Sequence, residues 1–341
     1  MEKSSAKRKM KRYFKISLLT ICLLALAFLL QVSNVTQADA ATESVGECVV
    51  EVSSRRFLHE RNADKRLPMA STTKILTALV ILEGENLDEV VTVPKQAEGT
   101  EGSSVYLKAG DEISVRDLLY GLMLRSGNDC AVTLALHHSG SIQNFARAMN
   151  EKALSLGAEH SHFVNPHGLP NEEHYTTARD LALISAAAMQ NTTFREIVST
   201  KFYAPRGWQN KNKLLWNFEG ALGVKTGFTV RAGRCLVSAA ERNGMTLVCV
   251  TLNSPQMFER SEELLANAFK DYRLVSLCSA SKTYAGYRVL YDFSYPLKED
   301  EIDKINVQTE LNEEQGEIAG CLKIYLENRL LFSQNLFIMN E

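Results

Sequence analysis

A serine and a lysine stand three residues apart at the start of an apolar stretch. Ser71 and Lys74 lead into residues 75–82, none of which is charged. Pro68 stands just upstream, where the start of a helix tolerates its missing N–H, and Gly84 supplies a C-terminal stop. Because positions i and i+3 of a helix share one face, the hydroxyl and the amine point the same way.

This pair has the chemistry of a nucleophile beside a base. A helix that is apolar almost all round is buried, and a buried ammonium without a partner usually loses its proton. A neutral Lys74 would then accept the proton of Ser71. The alternative is that Lys74 extends its ammonium to the surface and that Ser71 is an ordinary first-turn residue. The Ser-x-x-Lys spacing also occurs at Ser4 and Ser279, so it does not decide between the two.

Two polar tripeptides follow at wide spacing. Ser-Gly-Asn at residues 126–128 begins 55 residues after Ser71, and Lys-Thr-Gly at residues 225–227 begins 99 residues later. The first lies at a predicted corner between two helices, where its glycine lets another chain approach. The second lies in a predicted strand. Each is weak alone, because these residue types are ordinary in turns and strands.

The surrounding patterns predict the elements that must position these side chains. A hairpin is predicted at residues 47–59, followed by strand-like pieces at residues 90–93 and 105–107. Besides the helix that begins at Ser71, helices are predicted at residues 114–125, 129–138, 142–156, 178–189 and 258–269. Further strands are predicted at residues 222–229, 235–240 and 245–253. This order of elements predicts an α+β fold in which an antiparallel sheet is flanked by helices.

The two ends of the chain differ from this middle part. Residues 1–40 combine a basic head, the apolar run 16–30 and Ala-Asp-Ala at 38–40, which is the layout of a secretory signal peptide. The run is shorter than a spanning helix, so cleavage is favoured over a membrane anchor. From residue 278 onward the chain reads as short strands. We therefore predict a signal peptide at 1–40, a main domain at 41–277 and a small all-β domain at 278–341.

The net charge of the chain limits the kinds of molecule that it is expected to bind. The 341 residues carry a net charge of −2, and without residues 1–40 the chain keeps 31 basic and 38 acidic side chains, a net charge of −7. This balance argues against nucleic acid or an anionic surface as the main partner.

The cysteines and histidines predict neither a disulfide framework nor a metal site. The six cysteines beyond residue 40 are widely spaced, and several stand in apolar stretches where a free thiol packs as a small core residue. His160, His162, His167 and His174 form a cluster in the sequence. Their spacing fits neither a zinc-binding helix nor a zinc finger, so structural roles in loops are favoured.

Taken together, the three motifs in this order are a pattern known from β-lactamases and penicillin-binding proteins. With their neighbours they resemble the serine-type D-alanyl-D-alanine carboxypeptidases of peptidase family S11, the low-molecular-mass penicillin-binding proteins of the bacterial cell wall. The resemblance covers residues 44–275 and rests on the segments 68–74, 124–129, 165–169, 177–180 and 225–229. It implies a β-lactamase/transpeptidase-like fold and a serine D,D-peptidase domain at 41–277. The C-terminal residues are similar, less specifically, to the C-terminal domain of the family.

The resemblance implies a role for each motif residue in forming an acyl-enzyme. Ser71 is expected to attack the carbonyl between two terminal D-alanines and release one of them. Lys74, kept neutral by burial and by the charge of Lys225, is expected to take the serine proton. Ser126 is expected to relay a proton to the leaving amine.

The remaining motif residues are expected to bind the substrate. Asn128 would orient Lys74 and the substrate amide, while Lys225 and Thr226 would hold the terminal carboxylate. Gly227 would let the substrate lie along the strand edge, and the N–H groups of Ser71 and Phe228 would form the oxyanion hole.

The resemblance also implies partners and a location. The substrate would be a peptidoglycan stem peptide, and β-lactam antibiotics would be covalent inhibitors. No cofactor, metal or nucleic acid is expected, and the protein would act outside the cytoplasm, at the cell wall or the outer face of the membrane. Many members end in an amphipathic helix that holds them on the membrane. The residues around Phe337 show no such pattern, so membrane association is left open.

Three other functions compete with this one. A β-lactamase of the most similar kind needs a Glu-x-x-Leu-Asn segment, and residues 128–225 contain none. A D,D-endopeptidase or transpeptidase would use the same motifs with another substrate or acceptor. A catalytically silent wall-binding protein would be free to lose Ser71, Lys74, Ser126 and Lys225, and all four are present.

Overall fold

The structure is a computed structural model that describes residues 45–315 and 317–338. The predicted signal peptide at 1–40 lies outside the described residues. Within them, no helix is both long and apolar enough to cross a membrane.

The described strands and helices alternate in blocks along the chain. The strands are β1 (Gly46–Glu51), β2 (Phe57–Arg61), β3 (Val90–Thr92), β4 (Glu112–Ser114), β5 (Phe202–Tyr203), β6 (Trp208–Gln209), β7 (Ala221–Thr229), β8 (Gly233–Arg242), β9 (Met245–Leu252), β10 (Arg273–Cys278), β11 (Thr283–Tyr284), β12 (Tyr287–Arg288), β13 (Phe293–Leu297), β14 (Ile305–Gln315), β15 (Ile318–Leu326) and β16 (Arg329–Phe337). The α-helices are α1 (Lys74–Gly84), α2 (Val115–Tyr120), α3 (Asn128–Ser139), α4 (Ile142–Ser155), α5 (Ala178–Gln190), α6 (Thr192–Ser199), α7 (Leu214–Asn217), α8 (Met257–Asp271) and α9 (Glu299–Ile302).

A five-stranded antiparallel sheet in the order β2-β1-β9-β8-β7 has helices on both faces. Alternate residues of a strand point to opposite faces, and β1 follows this rule. Cys48 and Val50 join the core that contains α1, whereas Val49 joins the core formed with Leu265 of α8. The predicted α+β class is therefore confirmed.

Helix α1 is the buried centre of this arrangement. Ile75, Leu76 and Ile81 are fully shielded from solvent, and α1 packs against α3, α4 and α5. A 3₁₀ turn, Ala70–Thr73, precedes the helix and carries Ser71. The predicted buried helix is thus observed, with Lys74 as its first α-helical residue.

One predicted strand is wrong. Residues 105–107 form an irregular loop, and β3 pairs with β4 instead. The reason is an alternative set of acceptors, because the N–H groups of Val105 and Leu107 donate to the carboxylate of Asp129 and not to a neighbouring strand. The elements α6, α7, β5 and β6 were not predicted, since they are short.

A second sheet occupies the C-terminal part, in the order β11-β12-β16-β15-β14. Its core contains Cys278, Leu322, Ile324 and Leu336. The region is mainly β, as expected, with the single-turn helix α9 between β13 and β14. We propose a domain boundary near residue 277, although β10 runs to Cys278 and so reaches across that position.

An arginine ties the two parts together. The Arg56 guanidinium lies 2.6 Å from Glu301 Oε1 and donates to the carbonyl of Pro296 at 2.6 Å. It also lies over the rings of Tyr272 and Tyr295, 5.2 Å from each centroid.

Candidate active site

The turn before α1 presents Ser71 in an unusual backbone setting. Ala70 has φ +49°, a left-handed conformation that costs a non-glycine residue about 1–2 kcal/mol. Strain of this kind persists only where the surroundings hold it. A Cβ at Gly227 of β7 would lie 3.0 Å from both Ser71 N and Met69 O, so only glycine lets the strand approach this closely. Ser71 is partly exposed and therefore accessible to a substrate.

Lys74 is fully buried, and its Nζ has three oxygen neighbours. Nζ lies 3.0 Å from Ser71 Oγ, 2.7 Å from Asn128 Oδ1 and 2.7 Å from His167 O. Burial, reinforced by the positive charge of Lys225, lowers the pKa of Lys74 well below its usual value. A neutral amine has two hydrogens, and the Asn128 and His167 oxygens only accept. In the neutral form of Lys74 these two oxygens would take both N–H groups and leave the nitrogen lone pair for the proton of Ser71.

Asn128 is itself held in one orientation. Its Nδ2 donates to Glu101 O at 2.5 Å, so its Oδ1 must face Lys74. Its backbone N–H donates to Ser103 O at 2.7 Å. The predicted contact between Asn128 and Lys74 is therefore observed.

Ser126 stands at the predicted corner between helices. Residues Gly121–Arg125 form a π-helical turn after α2, and Ser126 ends it with φ +65°. The side chain is 4% exposed. Among the described hydrogen bonds, Lys74 Nζ bonds Asn128 of this corner and not Ser126, so the relay role of Ser126 stays a prediction.

The third motif lies on β7, an outer strand of the main sheet. Lys225 is 1% exposed, and burial, followed by the charge of Lys211, lowers its pKa to about 7. Its Nζ lies 2.9 Å from Thr226 O. Thr226 is partly buried, and Phe228 is 64% exposed. The approach of Gly227 to Ser71 joins this strand to the nucleophile.

Asp129 has a role that the sequence did not reveal. Its Oδ2 accepts from Ser104 Oγ at 2.6 Å, Val105 N at 3.0 Å and Leu107 N at 3.0 Å. These bonds hold the loop whose carbonyls orient Asn128. The only signal in the sequence is that Asp129 follows the Ser-Gly-Asn motif, which does not say where its carboxylate points.

A basic recess adjoins this corner. A cavity of about 490 Å³ is lined by Arg125, Lys211, Lys213 and Trp216, among others. Lys211 lies near the site, since its Nζ is 3.4 Å from Ser103 Oγ and its charge acts on the pKa of Lys74 and Lys225. The recess therefore favours an anionic ligand beside the three motifs.

The clustered histidines of the sequence make protein contacts. His162 Nδ1 lies 2.6 Å from Glu173 O, and His167 Nδ1 accepts from Leu169 N at 3.2 Å. In the described part of the chain, the group that could offer a metal three ligands is Glu85, Glu89 and His137, which lies at the opposite end of α1 from Ser71. In this group His137 Nε2 lies 3.2 Å from Glu85 Oε2, so the two side chains contact each other directly.

More than half of the chain matches the model of a known protein family. The model of peptidase family S11, described as D-alanyl-D-alanine carboxypeptidase, matches residues 32–256. The chain belongs to this family. The predicted family resemblance is therefore confirmed.

Relatives of this S11 protein span most of its length. A D-alanyl-D-alanine carboxypeptidase of Streptomyces sp. (strain K15) is 38% identical over 256 residues, which cover 67% of this chain and 88% of the relative. The D-alanyl-D-alanine carboxypeptidase DacF of Bacillus subtilis (strain 168) is 29% identical over 337 residues, 92% of this chain and 85% of the relative.

Solved structures extend the likeness to the fold of the S11 protein. Penicillin-binding protein 5 from Haemophilus influenzae aligns with a TM-score of 0.74 and 28% identity, covering 87% of this chain and 96% of that one. The Streptomyces K15 DD-transpeptidase aligns with a TM-score of 0.61 and 37% identity, covering 65% of this chain and 95% of that one.

Proposed function

We propose that this S11 protein is a serine D,D-carboxypeptidase that removes the terminal D-alanine from peptidoglycan stem peptides. The observation that carries the proposal is the environment of Lys74. Two acceptors take its N–H groups, and the remaining neighbour of Nζ is Ser71 Oγ at 3.0 Å. A buried, neutral amine in that position is a general base for a serine nucleophile.

This geometry supports acylation of Ser71 by the terminal D-Ala-D-Ala of the substrate. Ser71 Oγ attacks the carbonyl carbon between the two D-alanines while its proton passes to Lys74 Nζ. The carbonyl oxygen becomes an oxyanion, for which the N–H groups of Ser71 and Phe228 are the proposed donors. Collapse of the tetrahedral intermediate breaks the C–N bond. The proton from Lys74 passes through Ser126 to the leaving amine, and D-alanine departs.

Deacylation uses the same groups in the reverse order. A water molecule gives its proton to Lys74 and attacks the ester carbonyl of the acyl-enzyme. The C–O bond to Ser71 breaks, Lys74 returns its proton to Ser71 Oγ, and the shortened peptide leaves with a new carboxylate.

Substrate binding is assigned to β7 and the basic recess. The terminal carboxylate needs a cation and a hydroxyl donor, which Lys225 and Thr226 supply. As β7 is an outer strand of the main sheet, an extended peptide adds along its edge beside Gly227. Arg125 and Lys211 at the recess attract the anionic peptide toward the site.

We further propose that β-lactams acylate Ser71 covalently and that the protein acts outside the cytoplasm, at the cell wall. The first proposal is supported by the likeness to penicillin-binding protein 5 of Haemophilus influenzae, and the second by the signal-peptide layout of residues 1–40.

Transpeptidation is the second candidate function. The solved Streptomyces K15 structure is named a DD-transpeptidase, although the K15 relative is named a carboxypeptidase. The same acyl-enzyme would serve both, with an amine replacing water as the acceptor.

One experiment tests the proposal. The purified protein is incubated with a peptide ending in Lys-D-Ala-D-Ala, with and without an added amino acceptor, and free D-alanine and the peptide products are measured. A fluorescent penicillin is run in parallel on the wild type and on Ser71→Ala, with Ser281→Ala as the matched control because Ser281 is exposed and distant in the chain.

We expect D-alanine release and labelling in the wild type and the control, and neither in Ser71→Ala. Labelling with peptide products that always carry the acceptor would identify a transpeptidase. No labelling of the wild type would contradict the catalytic function and leave a wall-binding role.

A further inference from the structure

His174 is a buried histidine with a single hydrogen-bonding arrangement. The residue is 3% exposed, and its ring is perpendicular to the Phe163 ring, with the centroids 5.7 Å apart. Nδ1 is 3.1 Å from Val164 N, and Nε2 is 2.8 Å from Thr73 Oγ1. Thr73 and His174 are 101 positions apart in the sequence, so no local sequence pattern predicts this contact.

The backbone fixes the tautomer of His174. The Val164 N–H only donates, so Nδ1 must be unprotonated and accept. The ring hydrogen is then on Nε2 and is donated to Thr73 Oγ1. The Thr73 hydroxyl uses its own hydrogen on the carbonyl of Ala70, at 2.8 Å. The result is a chain of hydrogen bonds in one direction, from the Val164 N–H through His174 and Thr73 to the Ala70 carbonyl.

The end of this chain is the peptide group that carries the Ser71 N–H. The Ala70 carbonyl and the Ser71 N–H belong to one planar unit, so the direction of one sets the direction of the other. Ala70 stands in a strained left-handed conformation that its surroundings must maintain. On the other side, Gly168 packs so closely that a Cβ there would collide with the Ala70 carbonyl.

We propose that His174 is a positioning residue for acylation, which acts through Thr73 on the Ala70 carbonyl and thereby aims the Ser71 N–H at the oxyanion. The proposal rests on the proposed function and deepens it. His174 touches no reacting atom. Its effect is on the geometry of the oxyanion hole, where a misplaced donor lowers the rate of the chemical step more than substrate binding.

Burial, more than the charge of neighbouring groups, keeps His174 in the required neutral form. The titratable groups whose charges act on it are His162 and Lys74. Burial first, then these two groups, lower the pKa of His174 to about 4. The imidazole therefore stays neutral above about pH 5 and can both accept from Val164 and donate to Thr73.

Two substitutions distinguish the roles of the two ring nitrogens of His174. In His174→Gln the side-chain amide reaches the position of Nε2 and keeps a donor for Thr73. In His174→Asn the shorter amide reaches the position of Nδ1 and keeps an acceptor for Val164 but loses the donor. Thr73→Val removes the hydroxyl at nearly constant volume, and Thr73→Ser retains it.

The measurements are the acylation rate with a fluorescent penicillin, kcat and KM on a peptide ending in Lys-D-Ala-D-Ala, and the thermal midpoint of each variant. We expect His174→Asn and Thr73→Val to acylate about 10- to 100-fold more slowly, with the loss in kcat and little change in KM. His174→Gln and Thr73→Ser should remain within about threefold of the wild type. The double variant His174→Asn/Thr73→Val should be no slower than either single one, because both interrupt one chain.

Other outcomes would overturn the proposal. A wild-type acylation rate per folded molecule in His174→Asn, with or without a lower thermal midpoint, leaves His174 a structural residue only. Losses that multiply in the double variant place the two residues in separate roles. If the wild type is not labelled at all, the proposed function fails, and this inference fails with it.

Discussion

The main sheet with its helices and the C-terminal sheet differ in what they bury. In the described residues, the buried Lys, His, Asp, Asn, Ser and Thr side chains all lie before residue 262. The core of the C-terminal sheet is made of side chains such as Leu322, Ile324 and Leu336. Both regions are well-packed antiparallel structures, so packing alone does not separate them.

The difference lies in where the protein departs from the rule that charges stay at the surface. Lys74 and Lys225 are both fully or almost fully buried, without a carboxylate partner among the described ion pairs. Each buried amine lowers stability, because desolvation disfavours its charged form. Buried, unpaired amines are expected at catalytic sites, and here the two amines belong to the motifs that meet at Ser71.

The comparison predicts the largest effect, a loss of acylation, when the base is removed. Lys74→Met keeps an unbranched apolar side chain but removes the amine, so acylation by a fluorescent penicillin should fall by about 10³-fold or more. The Asn128 and His167 oxygens lose a donor, while the desolvated amine is also gone, so the fold should persist.

The matched control is Lys95→Met, since Lys95 is 83% exposed and pairs with Glu98. Its acylation rate should equal that of the wild type. A Lys74→Met protein that is labelled at more than about a tenth of the wild-type rate would show that Lys74 is not the base.

The opposite result is expected in the C-terminal sheet. Leu322 is fully buried in its core, so Leu322→Ala should lower the free energy of unfolding by about 2–5 kcal/mol. The acylation rate of the folded molecules should not change. Denaturant unfolding and penicillin labelling of the same sample measure the two quantities.

Leu330→Ala is the control for this change, because Leu330 is 49% exposed and should lose little stability. If Leu322→Ala slows acylation in fully folded protein, the two regions are coupled, and Arg56 with its contacts to Glu301 and Pro296 becomes the first connection to examine.

The sequence could predict the fold and the three motifs because both are local patterns. Hydrophobic period and caps located most of the helices, as with Ser114, whose hydroxyl accepts from Asp117 N at the start of α2. The proximity of Ser71 and Lys74 followed from helix geometry. That the corner at 126–128 meets Lys74 came from the family resemblance, and no pattern in the chain shows it.

What the sequence could not predict involves backbone atoms and distant partners. The third neighbour of Lys74 is a carbonyl, His167 O, and any residue type has one. The strand predicted at 105–107 failed because its N–H groups bond the carboxylate of Asp129, more than twenty residues away. The left-handed turn at Ala70 is held by Thr73 and is disfavoured by the identity of alanine itself.

The smallest predicted effect is a pH dependence of kcat/KM. It is expected because the buried lysines that distinguish the main domain should titrate during turnover. The pKa of Lys225 is lowered to about 7 by burial and by Lys211, and only its protonated form attracts a substrate carboxylate. As pH rises through about 7, the free protein loses that charge, so kcat/KM should fall by up to about tenfold per pH unit. A bound carboxylate favours the charged form and raises the pKa of Lys225, so the decline in kcat should begin at higher pH.

A substrate with a terminal amide in place of the carboxylate should lack the alkaline decline in kcat/KM. A kcat/KM for the carboxylate substrate that does not fall between pH 7 and pH 9 would mean that Lys225 stays charged over this range and that burial does not lower its pKa to about 7.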